Sequence, residues 1–313
     1  MHVFRNILGI FVFDSNNAVQ ESHLFGSIEE FRNSDEQYEK LKSSRNAKEP
    51  DEKQLNKILE YFRNPEFMHK LREQNTNLSR IDIRNSVNCD ALVSQAINSH
   101  DEIDKVVNAL IKRLRDWYRL YNPEISVKIE NNIDFCNAVS HSSKEQLLSQ
   151  FNVSENKALG ADLGEKDVSQ IVSLAKSALS LQKEKENLQA YIETMMKSNY
   201  PNINEVAGPM IGAKLLEHSG SLKRLAGMPS STVQILGAET ALFRHLKTGA
   251  RPPRHGLIVN HPYIARVSEK SHGKVARSLA DKISIAAKVD YFKGEFIGVQ
   301  LREQLEKKLA GIK

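Results

Sequence analysis

Two long segments of the chain carry apolar residues at alternating spacings of three and four, the heptad pattern of helices that pack side by side. The first seam consists of Ile103, Val107, Leu110, Leu114, Trp117 and Tyr121, and the second of Ile171, Leu174, Ala178, Leu181, Lys185, Leu188, Ile192 and Met195. Pro123 ends the first helix. We therefore expect a mainly α-helical chain with a central antiparallel coiled coil.

The second seam indicates that its helix has more than one neighbour. Val168, Val172, Ala175 and Leu179 add a second apolar stripe, and Lys185 is the one polar residue in the seam. A polar residue at such a position can fix register or partner number. The two helices could pair within one chain and also dimerise through Leu174, Leu181, Leu188 and Ile192. An ordinary helical hairpin without a partner fits the same spacing.

The strand and helix patterns of residues 1–90 predict a small α/β domain, which precedes a helical region at 91–205. "RNILGIFVF" and "AVQESHLF" are typical of strands, and Asp14 and Asn17 between them suit a hairpin turn. We expect "NILGIFVF" to offer a sheet edge. "QLNKILEYF" is typical of a helix, whereas the polar "KSSRNAKEPDEK" predicts a loop or insertion.

Positive charge is concentrated in a third region, residues 206–313. This region holds 18 Lys and Arg against 8 Asp and Glu, whereas residues 1–205 hold 26 against 31. A domain with an excess of ten positive charges is typical of a polyanion-binding unit. A solvated basic face is the alternative, because charge says nothing about fold.

Part of that charge lies in "GAETALFRHLKTGARPPRHG", residues 237–256. Its first half predicts a helix, and Pro252 and Pro253 prevent the second half from continuing it. Its basic residues are Arg244, His245, Lys247, Arg251, Arg254 and His255. A helix and a rigid loop that both carry cations and rings suit an anionic, flat ligand such as an unpaired base.

A second basic helix begins near His272. Val275, Leu279, Ile283 and Ala286 form its apolar stripe, and Lys274, Arg277 and Lys288 fall on another side. Arginine can bond phosphate with two parallel donors. Gln234 could read a base edge, because its amide both donates and accepts. Taken alone, this helix could equally be a solvated surface helix.

Motifs of enzymes and metal sites are missing from the sequence. HExxH, G-x-S-x-G, G-x-G-x-x-G and paired Cys/His spacings do not occur. "GPMIGAKLLEH" is not a phosphate loop, because Ala213 separates Gly212 from Lys214; close helix packing explains its glycines better. The two distant cysteines, and the lack of an apolar run that could cross a bilayer, predict a reducing cytoplasm.

"GPMIGAKLLEHSGSLKRLAGMPSSTVQILGAETALFRHLKTGARPPRHG" and "KVARSLADKISIAAKVDYFKGEFIG" resemble the signature of the Nop domain. "LRDWYRLYNPEI" resembles the start of the coiled coil in the same family. The likeness is very specific over about residues 206–300, good over the coiled coil and weak over the first ninety residues. It is greatest to the archaeal, Nop5-like members, which implies an archaeal cytoplasm.

The resemblance implies a scaffold in a box C/D ribonucleoprotein, not a catalyst. Its partners would be a box C/D guide RNA, a small kink-turn-binding protein, fibrillarin docked on residues 1–90, and a second copy bound through the coiled coil. Fibrillarin uses S-adenosylmethionine to methylate ribose 2′-hydroxyls, so no cofactor is expected on this chain. A spliceosome-type Nop protein without a methyltransferase, or an enzyme acting on RNA, would be the alternatives.

Carried over by motif, the RNA contacts fall on Gln234, the Ala241–Arg244 run and Arg277, and His255 matches a position that stacks on a nucleotide in a spliceosomal relative. Ala241, Leu242 and Phe243 are the expected contacts with a partner protein, and either Leu242 or Phe243 could face it. Thr240 stands where the family often has Lys, which removes one charge. Together with the basic residues above, the predicted RNA-binding set is Gln234, Arg244, His245, Lys247, Arg251, Arg254, His255, Lys274 and Arg277.

Overall fold

The computed structural model of the protein describes residues 1–154 and 158–310. The chain divides into two compact units, Met1–Asn88 and Cys89–Lys313. The division lies two residues from the boundary expected at residue 90.

The first unit opens with an antiparallel sheet of three strands, β1 (His2–Asn6), β2 (Gly9–Phe13) and β3 (Val19–Leu24), in the order β1-β2-β3. The predicted hairpin turn is confirmed: Asp14 Oδ1 accepts hydrogen bonds from the Asn16 and Ala18 amides, and Asn17 has a φ of 62°. The prediction that "NILGIFVF" offers a sheet edge is wrong. β2 pairs on both sides and is buried throughout, because helices and loops cover both faces of its apolar run.

Four helices complete this unit: α1 (Ile28–Arg32), α2 (Asp35–Ser44), α3 (Glu52–Tyr61) and α4 (Pro65–Ser86). Rings form the core on one face of the sheet, where Phe11 and Phe62 meet edge to face at 4.8 Å. The helix predicted in "QLNKILEYF" is confirmed as α3.

The loop predicted over residues 42–53 is shorter than expected. α2 continues to Ser44 and α3 begins at Glu52. Between them Ala47 is buried, and Lys48 exchanges backbone hydrogen bonds with Met1 and Val3, each at 3.1 Å. This polar segment therefore packs beside β1, because its backbone groups find partners there.

The second unit is helical. Its helices are α5 (Cys89–Tyr121), α6 (Pro123–Lys128), α7 (Asn132–His141), α8 (Lys144–Gln150), α9 (Glu165–Asn199), α10 (Pro201–Ala207), α11 (Pro209–Ser219), α12 (Leu222–Gly227), α13 (Ser230–Ile235), α14 (Glu239–Thr248), α15 (Pro262–Ala265), α16 (His272–Tyr291) and α17 (Gly298–Leu309). Short 3₁₀ turns lie at Leu257–Asn260 and Glu269–Ser271. No helix of residues 1–154 and 158–310 has the length and apolarity that a membrane crossing requires.

α5 and α9 form the predicted antiparallel pair. At one end the Tyr200 hydroxyl donates to Asp90 over 2.5 Å, and at the other the Ala161 amide donates to the Leu120 carbonyl over 2.8 Å. Lys185, the polar residue of the second seam, forms an ion pair with Asp104. The positive charge of Lys185, at the polar position of the seam, is therefore compensated by a carboxylate of the same chain.

The heptad seams are confirmed at the five seam residues that are buried, Val107, Leu114, Ile171, Ala178 and Ile192. Trp117 departs from the expectation, because its side chain is 39% exposed while Ile111 and Tyr118 are buried instead. The reason is that α7 packs on this end of the pair, where the Tyr118 and Phe135 rings lie 5.4 Å apart.

α16 runs through the core of the remaining helices. Val275, Leu279, Ile283 and Ala286 are fully buried, which confirms the apolar stripe predicted for this helix. Gly212 confirms the close packing predicted for the glycines of α11: an added Cβ would lie 2.7 Å from Met196 Cε and 2.9 Å from Ile203 Cγ2.

The packing continues across residue 205, where the third region was expected to begin. Ile192 and Met196 of α9 share one apolar cluster with Ile203 and Val206 of α10. Asp290 of α16 accepts hydrogen bonds from the Asn202 and Ile203 amides and so holds the start of α10. The separate roles assigned to residues 91–205 and 206–313 stay predictions.

Candidate nucleic-acid interface

A groove of about 1010 Å³ opens on the surface of the second unit. Its walls come from α13, the loop around Pro253, the first half of α16 and the end of α17. These segments are distant in the sequence, and the packing of their apolar residues around α16 brings them together.

Among the residues that the structure describes, five cationic side chains line this groove: Arg254, Lys270, Lys274, Arg277 and Lys308. Asp281 is the one carboxylate among these described lining residues. Within residues 1–154 and 158–310, none of the five cations forms an ion pair with a carboxylate of the chain. Uncompensated positive charge in a concave surface attracts phosphate, so the groove suits a polyanion.

The loop that carries Arg254 is held in place by α13. Gln234 Nε2 donates to the Arg254 carbonyl over 2.7 Å, and the Gly256 amide donates to the Gln234 carbonyl over 2.8 Å. Gly256 is required for this close approach, since an added Cβ would lie 1.9 Å from the Leu236 carbonyl oxygen. One N–H of the Gln234 amide therefore already binds the loop, and its second N–H and its amide oxygen are left for the base-reading role predicted for this residue.

His255 follows the groove residue Arg254 and lies beside a second imidazole. The rings of His255 and His272 are 6.0 Å apart and inclined by 56°. Partial burial, followed by the neighbouring His272, lowers the pKa of His255 below its ordinary value. A neutral ring suits stacking on a base better than binding phosphate as a cation.

α14 lies in the chain between α13 and the loop of Arg254, and it contains no buried residue. The side chains of Phe243 and Leu246 are 60% and 69% exposed, whereas Leu242 is half-buried. Of the two residues that could face a partner, Phe243 is therefore the more available. Arg244 is exposed on the same helix. Apolar side chains next to a cation suit a partner whose surface is part protein and part phosphate.

The end of α14 shows how the next segment is shaped. Gly249 ends the helix with a φ of 68°. The Nδ1 atom of His245 lies within hydrogen-bond distance of the Ala250 carbonyl oxygen. The ring of His245, predicted as an RNA contact, therefore stabilises the turn that follows the helix. Lys247 and Arg251 are exposed on either side of this turn.

Comparison with known proteins identifies the family of the chain. The Nop family model, described as "snoRNA binding domain, fibrillarin", matches residues 99–311. The chain belongs to the Nop family. This confirms the resemblance found in the sequence.

Three relatives illustrate the likeness. A NOP5 family protein of Methanocaldococcus jannaschii, described as uncharacterized, is 34% identical over 275 residues, which cover 83% of this chain and 66% of that protein. Nucleolar protein 56 of Homo sapiens is 34% identical over 254 residues (74% of this chain, 43% of that protein). Nucleolar protein 58 of Yarrowia lipolytica is 34% identical over 239 residues (70% and 46%). The aligned part of this Nop protein thus spans less than two thirds of each relative's length.

A solved structure described as the crystal structure of a fibrillarin/Nop5p complex has a TM-score of 0.47 to the protein. Its sequence is 22% identical, and the alignment covers 99% of this chain and 100% of that one.

In this Nop protein the predicted RNA-binding residues fall into two groups. Gln234, Arg254, Lys274 and Arg277 line the groove. The other five do not line it: Arg244, His245 and Lys247 lie on α14, and Arg251 and His255 lie in the loop that follows. Lys288, placed on the basic face of α16 by its spacing, is exposed but does not line the groove. Lys288 lies about three turns beyond Arg277 on the same helix, outside the residues that line the groove.

Sequence reasoning missed Lys270 and Lys308 as residues of the groove. Lys308 lies on α17 and Lys270 precedes α16, and no local pattern connects them with α13. Asp281 follows Arg277 by one helical turn in the sequence. Its place within the groove depends on the neighbouring elements.

The residues predicted to dimerise the Nop protein differ in how much surface they leave for a second copy. Ile192 is fully buried within the chain. Leu174 and Leu181 are half-buried against the core at the α7 end of the hairpin, and Leu188 is half-buried. A second copy would therefore contact Leu188 and its exposed neighbours more readily than Ile192.

Proposed function

We propose that this chain is the scaffold subunit of a box C/D guide-RNA ribonucleoprotein that directs ribose 2′-O-methylation of rRNA or tRNA. In this role it bridges a complex of RNA and a small kink-turn-binding protein to fibrillarin. The observation that carries the proposal is the groove, where five cations form no ion pair within the described residues, together with α14, which exposes Phe243 and Leu246. Membership of the Nop family supports it.

The two surfaces have different tasks. Arg254, Lys274 and Arg277 bind phosphates along the groove. α14 contacts the kink-turn-binding protein through Phe243, while Arg244 contacts RNA at the border between the two. Because Gln234 and the backbone of α13 already fix the loop, less conformational entropy is lost when RNA binds.

The first unit, Met1–Asn88, docks fibrillarin in this proposal. The methyl transfer takes place on fibrillarin, which binds S-adenosylmethionine, and this chain has no catalytic residue. The hairpin of α5 and α9 joins two copies, so that each particle holds two RNA-binding and two fibrillarin-binding sites. The description of the family model, which names fibrillarin, supports fibrillarin as the partner.

A gel shift with kink-turn RNA, alone and preassembled with a small kink-turn-binding protein, tests the proposal. The wild type should bind the preassembled pair far more tightly than naked RNA, because neither half of the composite surface exists alone. His255→Ala should weaken binding of the pair by about 1–3 kcal/mol, the usual contribution of a ring stacked on a base.

Phe243→Ala separates the protein contact from the RNA contact. It should weaken binding of the pair and leave the weak binding of naked RNA unchanged. Phe292→Ala is the matched control, since Phe292 is an exposed ring, 76% accessible, outside the groove and α14. Equal affinity of the wild type for naked RNA and for the pair would refute the composite surface. Failure to retain fibrillarin in a pull-down would refute the bridging role and favour a scaffold without a methyltransferase.

A further inference from the structure

Asp281 is a carboxylate within an otherwise cationic groove. It lies on α16 one turn after Arg277 and is half-buried. In the parts of the chain that the structure describes, its side chain takes part in no hydrogen bond and no ion pair. The nearby cations Arg277, Lys274 and Lys308 do not neutralise it.

Such a group works against the binding of phosphate. An ionised carboxylate only accepts hydrogen bonds, and it repels the oxygens of a phosphate that approaches the same end of the groove. A nucleotide offers two kinds of hydrogen-bond donor, the ribose 2′-hydroxyl and the N–H groups of a base. A carboxylate that lines the same groove as phosphate-binding cations therefore suits a donor of the nucleotide, while the cations bind its phosphates.

We infer that Asp281 is a specificity-determining residue of the groove, which accepts a hydrogen bond from a nucleotide donor while Arg277 and Lys274 hold the adjacent phosphates. The inference rests on the proposed function, because it assumes that RNA occupies the groove. It gives the groove a preference for nucleotides over plain polyanions. The competing explanation is that Asp281 only reduces the net charge of the surface.

Two probes distinguish a hydrogen bond from a general charge effect. Inorganic polyphosphate carries phosphates without base or ribose donors, and the preassembled kink-turn RNA–protein pair carries both. Asp281→Ala should strengthen polyphosphate binding about threefold, because one repulsive charge is removed. The same variant should weaken binding of the RNA–protein pair about fivefold to tenfold, because a charge-assisted hydrogen bond is lost.

Asp281→Asn separates the acceptor from the charge. It should strengthen polyphosphate binding as Asp281→Ala does, yet retain part of the affinity for the RNA–protein pair through its amide oxygen. Glu303→Gln is the matched control, since Glu303 is exposed on α17 and does not line the groove. It should leave the ratio of the two affinities unchanged. Circular dichroism of each variant checks that the fold is intact.

Substituted RNAs identify the donor. One set carries single 2′-deoxy positions, and the other carries bases without an exocyclic amine, such as inosine for guanine. The substitution that removes the donor should weaken binding of the wild type but not of Asp281→Ala, as expected for two groups that contact each other.

The outcomes separate the two proposals. If Asp281→Ala strengthens binding of polyphosphate and of the RNA–protein pair alike, the residue is only a charge and the inference is wrong, while the proposed function stands. If no RNA substitution loses its effect in Asp281→Ala, the inference is equally wrong. If the wild type does not bind the RNA–protein pair, both proposals are overturned.

Discussion

Salt dependence is the most direct measure of how many groove cations contact phosphate. Each phosphate neutralised by the protein contributes about 0.7 for single strands, or about 0.9 for duplex, to the slope of log affinity against log salt. If all five groove cations bind phosphate, the slope is about −3.5 to −4.5. Raising salt from about 50 to about 200 mM should then weaken binding about 100-fold to 500-fold.

Arg277→Ala should flatten this slope by about 0.7 to 0.9, which corresponds to one contact. Lys288→Ala is the matched control, because Lys288 is exposed on the same helix but lies outside the groove. The assay is binding of the kink-turn RNA–protein pair by fluorescence anisotropy at several salt concentrations, with folding checked by circular dichroism. The reasoning is refuted if Lys288→Ala flattens the slope as much as Arg277→Ala, or if Arg277→Ala leaves the slope unchanged.

Three further outcomes are expected. Leu181→Asp with Leu188→Asp should convert a dimer into a monomer in light scattering, with circular dichroism as the check on the hairpin; a wild type that is monomeric at micromolar concentration would contradict dimerisation. The second unit alone, residues 89–313, should bind the RNA–protein pair but not retain fibrillarin in a pull-down, and retention at wild-type affinity would locate the dock elsewhere. Gly256→Ala should lower the free energy of unfolding by about 1–3 kcal/mol, because its Cβ would lie 1.9 Å from a backbone carbonyl and disrupt the hydrogen bonds to α13. Gly273→Ala, whose Cβ meets nothing within 4 Å, is its control in thermal unfolding, and equal melting temperatures would show that the loop adapts.

The start of the second unit changes how a shortened protein should be designed. Sequence patterns alone suggest a start near residue 95, after the weakly matched region. In the structure Asp90 accepts hydrogen bonds from the Tyr200 hydroxyl and the Leu222 amide, and Val93 is fully buried. A protein that begins at residue 95 would lose these contacts, whereas one that begins at Cys89 retains them.

Local chemistry made much of the fold predictable. The turn at Asp14, the end of α5 before Pro123, and the ends of α11 at Gly208 and Gly220 follow from backbone preferences of single residues. The heptad seams and the apolar stripe of α16 follow from helical periodicity. The sequence also showed that residues 206–313 are basic, and it predicted Arg254, Lys274 and Arg277 as RNA contacts. Composition and spacing are properties of the sequence itself.

The tertiary structure decided which of these residues act together. β2 is buried on both faces, and Ile192 is buried within its own chain, because helices and loops from distant parts of the sequence pack on them. Lys308 reaches the same groove as Gln234 only because α13, α16 and α17 share one apolar core. Side-chain periodicity defines the faces of a single helix, whereas a groove is defined by the distances between helices, and those distances are set by long-range packing.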